Sequence, residues 1–214
     1  MVDLDILLAG SYNISRGNLR KQVDEETILH KLSELLDADK LTHSLGVRDE
    51  CVALAVRYGA DVEKARLAGL VHDCARGLDN DQLLRLATRY KIDVSNWEDF
   101  DLSLMHGPVG ACLARELFGI SDEEILHAVA VHTVGCKDMG LLDLVLFVAD
   151  YIEPNRTFEG VEDIRTAAEQ SLESAAVTGY AATLRHLLET NRLIHPSTIH
   201  SRNSLLAKLL KSEA

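Results

Sequence analysis

The segment LLDLVLFVADYI, residues 141–152, constrains the fold more than any other part of the sequence. Its apolar residues fall on nearly every face of a helix, so other elements must surround this helix on all sides. Pro154 follows closely and is expected to stop it. The sequence therefore predicts a central buried helix that carries one carboxylate, Asp150, in an apolar environment.

Helical periodicity dominates the rest of the chain from about residue 24 onwards. Caps, glycines and prolines predict helices over about 24–36, 40–58 with a stop at Gly59, 62–77, from Asn80 or Asp81 through Leu86, from near Pro108 to Gly119, from a Ser121–Glu124 capping box to Thr133, 160–190 and 201–211. The stretch 92–105 is predicted to be irregular. We therefore expect one all-α domain over residues 23–214, preceded by an N-terminal extension, residues 1–22, to which the sequence assigns no role.

The charge balance limits the partners of the chain. There are 34 acidic and 22 basic side chains, which gives a formal net charge of −12. Broad capture of DNA or RNA needs a basic footprint, so nucleic-acid binding is not expected. A small polyphosphate held at a metal centre stays compatible with an acidic protein, because the local charge decides there.

The lack of a predicted targeting signal and the wide spacing of the cysteines favour a cytoplasmic protein. The N-terminus has an early acidic pair and only a short apolar run, so no signal peptide is predicted. No apolar stretch reaches the roughly 18 residues of a membrane span. A chain of 214 residues buries a sizeable core. We therefore expect its four widely spaced cysteines to be reduced core residues.

Several histidines and aspartates lie inside or at the ends of apolar helices. His72 and Asp73 end the run LAGLVHDCA, and His132 lies in AVAVHTVG. A charged side chain in such a setting is costly to bury without a partner. The full set that shares this feature is His43, His72, Asp73, His106, His132 and Asp150.

A shared cation explains this set most economically, because it neutralises the carboxylates and occupies the imidazoles. Ligation by nitrogen and oxygen without thiolate favours Fe, Mn, Co, Ni or Zn. Six ligands exceed what one tetrahedral zinc uses, so two metals are expected, with Asp73 as a bridging carboxylate. For any one of these residues alone, a hydrogen-bonded core histidine or a salt-bridged aspartate is the competing interpretation.

Five segments resemble the HD-domain metal-dependent phosphohydrolases, and within them the YqeK-like symmetrical diadenosine tetraphosphate hydrolases. They are THSLGV (42–47), AGLVHDCAR (68–76), MHGPVGA (105–111), AVHTVG (130–135) and FVADYIEPNRTFEGVEDIR (147–165). The last segment is the most specific to the YqeK-like group. The resemblance covers roughly residues 24–205.

The resemblance implies an α-helical HD fold with a dinuclear centre, expected to hold iron, with Mn, Co or Zn as alternatives. It implies the same six ligands as the burial argument, with His106 and His132 as the pair that indicates the second ion. The implied reaction is hydrolysis of diadenosine tetraphosphate to two ADP. Two positions depart from the family pattern, Arg76 and Leu144, where the family often has lysine.

Further groups are candidates for contacts with the substrate. Arg76 follows the His-Asp pair by about one helical turn, so we predict that it contributes to catalysis together with Asp73 and binds phosphate. Arg156 and Lys137 are the other predicted phosphate-binding cations. Asp101 and Glu153 are candidate acid/base or supporting carboxylates, with a salt-bridged or solvated carboxylate as the simpler interpretation.

Three functions are open at this point. The first is the symmetrical hydrolase, and the second is another HD phosphohydrolase that acts on a nucleotide or a cyclic phosphodiester. The third is a regulator that binds nucleotide or metal without turnover. A homodimer is a candidate assembly. The remaining histidines are expected on the surface or in the core: His30, His127, His186, His195 and His200.

Overall fold

The prediction of an all-α fold is confirmed. The computed structural model describes residues 24–95, 97 and 100–212, so the predicted N-terminal extension, residues 1–22, lies outside the described residues. The described helices are α1 (Glu25–Leu35), α2 (Ala38–Tyr58), α3 (Val62–Val71), α4 (Asn80–Tyr90), α5 (His106–Phe118), α6 (Glu123–Val131), α7 (Leu141–Ile152), α8 (Val161–Ala168), α9 (Leu172–Glu189) and α10 (Pro196–Ser212). A short 3₁₀ turn, Leu102–Met105, precedes α5.

Helix α7 is the central element that its sequence predicts. It packs against α2, α3, α6, α8 and α9. From Leu142 to Ala149 every side chain is buried. Its last turn carries Asp150, so the packing of α7 fixes this carboxylate relative to the surrounding helices. None of the described helices combines the length and apolarity needed to cross a membrane.

Most predicted helix starts and stops agree with the structure. Asp24 caps α1 by accepting a hydrogen bond from the Thr27 amide, and Gly59 ends α2 with a φ of 75°. A left-handed residue at this place is the usual helix stop, and glycine adopts it at low cost. Asp122, not Ser121, caps α6, because the aspartate side chain reaches the amides of the first turn.

Two predicted helices differ from the observed ones. The segment 160–190 forms two helices, because the chain turns after Ala168 and Ser171 caps a new helix, α9. Helix α10 begins at Pro196, earlier than the predicted residue 201. Proline is favoured in a first helical turn, and this signal marks the true start.

The third predicted helix is also shorter than expected. Helix α3 ends at Val71, and residues 72–77 form turns instead of more helix. At the end of these turns Gly77 lies so close to α1 that an added Cβ would meet the Leu35 carbonyl oxygen at 2.2 Å. The turns carry His72, Asp73 and Arg76 out of the helix and into the middle of the domain.

Candidate metal centre

The six predicted ligands come together at the ends of several helices. His72 and His132 directly follow the last residues of α3 and α6, and Asp150 lies in the last turn of α7. His106 opens α5, and His43 lies in α2. Unpaired carbonyls give the C-terminal end of a helix a partial negative charge. The convergence of three such ends therefore favours a cation.

Backbone carbonyls fix the orientation of three imidazoles. Each of these rings donates its Nδ1–H to the carbonyl oxygen three residues earlier. The bonds join His72 to Gly69 (2.8 Å), His106 to Ser103 (2.5 Å) and His132 to Val129 (2.7 Å). Because a carbonyl only accepts, Nδ1 carries the proton and Nε2 presents a lone pair to the cluster, which is the form a metal ligand needs.

Asp73 lies at the centre of the cluster, and its two carboxylate oxygens face different groups. Oδ1 lies 3.0 Å from Nε2 of His106 and 3.4 Å from Nε2 of His132. Oδ2 lies 3.6 Å from Nε2 of His72 and 3.9 Å from Nε2 of His43, which is itself 3.0 Å from Asp150 Oδ1. The two oxygens of one carboxylate thus face a His106–His132 side and a side formed by His43, His72 and Asp150, and His72 also lies within 4.8 Å of His132.

The protonation states of His72, Asp73 and Asp150 suit metal binding. Burial lowers the pKa of His72 to about 4, so this imidazole is neutral near pH 7. Burial acts in the opposite direction on Asp73, but the adjacent His72 and the hydrogen bonds with His106 and His132 hold its pKa well below the usual range. Burial also acts to raise the pKa of Asp150, but its hydrogen bond with His43 and the nearby His72 and Arg156 together lower it. Neutral imidazole and ionised carboxylates are the ligand forms.

The surroundings of three Nε2 atoms show that the residues fit a cation. Nε2 of His72 is fully buried and has no hydrogen-bond partner among the described residues. Nε2 of His106 lies 3.1 Å from Nε2 of His132. Since both rings already donate through Nδ1, these two atoms face each other as lone pairs. Bound cations would satisfy these nitrogen atoms, and without one the buried Nε2 of His72 has no partner among the described residues.

A family profile described as HD domain matches residues 41–155, a range that contains all six residues of the cluster. The chain belongs to the HD-domain family. Hydrolases of this family are metal-dependent, which agrees with the chemistry of the cluster.

Curated relatives of this HD-domain chain carry a specific name. The symmetrical bis(5'-nucleosyl)-tetraphosphatase of Halalkalibacterium halodurans is 40% identical over 171 residues, 80% of this chain and 91% of the relative. The Bacillus subtilis protein of the same name is 35% identical and is covered over 99% of its length. A crystal structure from Clostridium acetobutylicum, described as a predicted HD superfamily hydrolase involved in NAD metabolism, superposes with a TM-score of 0.82 at 36% identity. It covers 88% of this chain and 100% of its own.

A cavity of about 720 Å³ contains the HD-domain cluster. Five of the six residues line it, and the sixth, His72, is fully buried. Arg76 and Arg156, two of the three predicted phosphate-binding cations, also line the cavity. Lys137, the third, is not among the lining residues, so the structure gives it no contact with a ligand in this cavity. It lies in the turn that follows His132 and leads away to α7.

The two arginines of the HD-domain cavity differ in their contacts. Arg156 pairs with Asp150 at 2.5 Å and also reaches Nε2 of His43 at 3.3 Å. Arg76 lies 3.1 Å from Nδ1 of His106 and has no carboxylate partner among the described residues. A guanidinium that makes no salt bridge among the described residues and lies next to the cluster is a ready contact for an anionic ligand.

The predicted carboxylates have different surroundings. Asp101 pairs with Arg192 at 2.5 Å and caps the 3₁₀ turn through the Ser103 amide, so it has a structural role. Glu153 is buried and lies beside Nδ1 of His43. Leu144 is a buried residue of α7.

Sequence analysis missed several residues of the cavity. Lys40, Tyr151, Phe158 and Arg185 all line it. Tyr151 and Phe158 lie within the family-like segment 147–165 and could have been noticed there. Lys40 and Arg185 carry no local signal, because only the packing of α2 and α9 around α7 brings them to the site.

Proposed function

We propose that this HD-domain chain hydrolyses diadenosine tetraphosphate symmetrically to two ADP, with the six-residue cluster as a dinuclear metal centre. The observation that carries the proposal is the position of Asp73, whose two oxygens face two separate groups of ligands. The names of the relatives, which match over most of their length, support the choice of substrate.

The geometry divides the ligands into two sets that share Asp73. His106 and His132 face Oδ1 and would hold one ion, with Asp73 as the common ligand. The other ion would be held on the Oδ2 side of Asp73 by His43, His72 and Asp150. Ligands of nitrogen and oxygen suit iron, the metal that we propose, and also Mn, Co or Zn.

Two bound metal ions would supply a water molecule of lowered pKa near neutral pH and would stabilise charge on the attacked phosphate. The protein's own residues then bind and orient the chain of phosphates. Arg76 can donate two hydrogen bonds from its planar guanidinium, and Arg156 provides a second positive charge on the far side of Asp73. Together they offset the charge of a tetraphosphate inside an acidic protein.

The experiment that tests this function is product analysis. Purified protein is incubated with diadenosine tetraphosphate after reconstitution with Fe, Mn, Co or Zn, and the products are separated by chromatography. Symmetrical cleavage gives ADP as the sole nucleotide product. Formation of AMP and ATP, or absence of turnover with every metal, would contradict the proposal. Cleavage of cyclic phosphodiesters in the same assay would point to a different HD phosphohydrolase.

A further inference from the structure

The cavity extends beyond the six-residue cluster towards α9. On that side, the α9 arm is formed by Tyr151, Phe158, Thr183, Arg185, His186 and Glu189. At the opposite end, the Arg76 end is formed by Arg76, Leu104 and Thr133. The two ends adjoin different ligands of the cluster. Arg76 contacts His106, whereas Tyr151 of the α9 arm directly follows Asp150 in the chain.

The α9 arm has an aromatic wall. Phe158 contacts the ring of Tyr151 edge-on, with 6.1 Å between the ring centroids, and retains 37% exposure. The Tyr151 hydroxyl is tied to Thr183 Oγ1 at 2.5 Å, which fixes this wall against α9. An aromatic face that is held in place and exposed to a cavity is a stacking surface for a planar ring such as a nucleobase.

Charged groups on α9 complete the arm. Thr183, His186 and Glu189 are spaced by three residues, and Arg185 lies next to this row, so all four fall on one side of the helix. Arg185 has no carboxylate partner among the described residues. It can therefore contact phosphate, while Glu189 can accept hydrogen bonds from a ribose hydroxyl or an adenine amine. A polyphosphate without a nucleoside has no group that would bind to this carboxylate or stack on the aromatic wall.

The Arg76 end offers much less. Among the described residues that line the cavity, Tyr151 and Phe158 are the only phenylalanine, tyrosine or tryptophan side chains, and both belong to the α9 arm. Leu104 and Thr133 are joined to each other by a hydrogen bond of 3.3 Å and present a small surface. Arg76 is the only cation at this end of the described cavity.

From this asymmetry we infer that recognition of the symmetrical substrate is one-sided. The α9 arm holds one nucleoside diphosphate half by its base, ribose and phosphates, and the Arg76 end holds the other half by its phosphates only. This inference rests on the proposed function and adds which part of the substrate each end of the cavity binds.

The inference defines a second substrate class, the nucleoside 5'-tetraphosphates, which lack the second nucleoside. Adenosine 5'-tetraphosphate plus water would give ADP and pyrophosphate. The water oxygen bonds to the phosphorus on one side of the central bridge, and the bridging P–O bond breaks with its electron pair on the leaving oxygen. The two protons of the water pass to the leaving group or to solvent. No other reactant is needed.

The first experiment compares the kcat/KM of the metal-reconstituted protein for adenosine 5'-tetraphosphate and for diadenosine tetraphosphate. A stacked base contributes roughly 5- to 150-fold. With one stacked base in both substrates, we expect the two values to agree within about 5-fold. A loss of more than about 5-fold for the tetraphosphate with one nucleoside would overturn the inference, because it would require a second base site.

Variants of the α9 arm provide the second experiment. Phe158→Leu should lower kcat/KM for both substrates by roughly 5- to 150-fold, and Phe158→Trp should restore most of it. Phe158→Leu should also weaken inhibition by ADP and leave inhibition by pyrophosphate unchanged. Unchanged inhibition by ADP in this variant would overturn the inference. Thermal melts confirm that each variant folds.

Arg185→Ala tests the phosphate contact of the arm. It should weaken inhibition by ADP by about 10-fold and leave inhibition by pyrophosphate, which binds at the Arg76 end, unchanged. The matched control is Arg85→Ala, an exposed arginine of α4 that does not line the cavity and should change neither. Equal effects of the two variants would contradict the assigned role of Arg185. If neither substrate is hydrolysed by the reconstituted wild-type protein, the proposed function fails. Calorimetric binding of ADP to wild-type and Phe158→Leu protein then still tests the arm.

Discussion

Oε1 of Glu153 lies 3.2 Å from Nδ1 of His43, and the two residues are separated by 110 positions in the chain. The carboxylate is buried, and its other oxygen accepts a hydrogen bond from the Asn155 amide at 2.8 Å. An imidazole that donates Nδ1–H to a fixed acceptor presents Nε2 as a ligand. Glu153 therefore does for His43 what backbone carbonyls do for the other three histidines.

The role of Glu153 leads to the first prediction. In Glu153→Gln the amide must either turn its NH₂ group towards the Asn155 amide or lose its hydrogen bond with His43. We expect metal affinity on the His43 side to fall by about 10- to 100-fold. Metal titration of the chelator-treated protein measures this directly. Glu123→Gln, which removes an exposed partner of Arg115, is the control and should leave metal affinity unchanged. Wild-type affinity in Glu153→Gln would show that this carboxylate does not orient His43.

The second prediction concerns the number of metal ions. Because Asp73 faces two separate groups of ligands, protein reconstituted without oxygen or chelator should contain about two metal ions per chain. Elemental analysis of protein with a measured concentration provides the number. A reproducible maximum of one ion would contradict the dinuclear centre and leave a mononuclear one.

Variants of single ligands should separate the two ions, which is the third prediction. Asp73→Ala removes the shared carboxylate, so turnover should be abolished and both ions depleted. His132→Ala should deplete mainly the ion on the His106 side. His30→Ala is the control, since its exposed ring pairs with Glu34 outside the cluster. Near-normal hydrolysis by Asp73→Ala would eliminate the bridging role.

The sequence predicted the centre better than it predicted the walls of the cavity. Asp150 and His72 stand out locally, because a charged or polar group inside an apolar run requires a partner. Arg185 has no such signal, because the sequence around it in α9 does not differ from that of an ordinary solvent-exposed helix. The break before Ser171 was missed because helical periodicity continues on both sides of it, and only the N-cap residue marks the new start.

The close approach of Gly77 to α1 gives a fourth prediction, on stability. A Cβ at this position would lie 2.2 Å from the Leu35 carbonyl oxygen, so Gly77→Ala must displace backbone. We expect the free energy of unfolding to fall by roughly 1–3 kcal/mol, as measured by urea denaturation. Gly140→Ala is the control, because its added Cβ would meet only Asp143 Oδ2 at 3.7 Å. Equal stability of the two variants would show that the 72–77 turns can shift freely.

The last prediction tests Arg76, one of the predicted phosphate-binding cations. Its guanidinium lies next to His106 but has no carboxylate partner among the described residues, so Arg76→Ala should leave metal content intact. Loss of one charge-assisted contact of about 1.5–3 kcal/mol corresponds to a roughly 10- to 150-fold fall in kcat/KM. Arg76→Lys keeps the charge and loses the planar fork. Recovery of activity by Arg76→Lys would show that a point charge is sufficient, and poor recovery would show that this site requires two parallel hydrogen bonds. Wild-type kinetics in Arg76→Ala, with metal retained, would contradict any contact between this arginine and the phosphates.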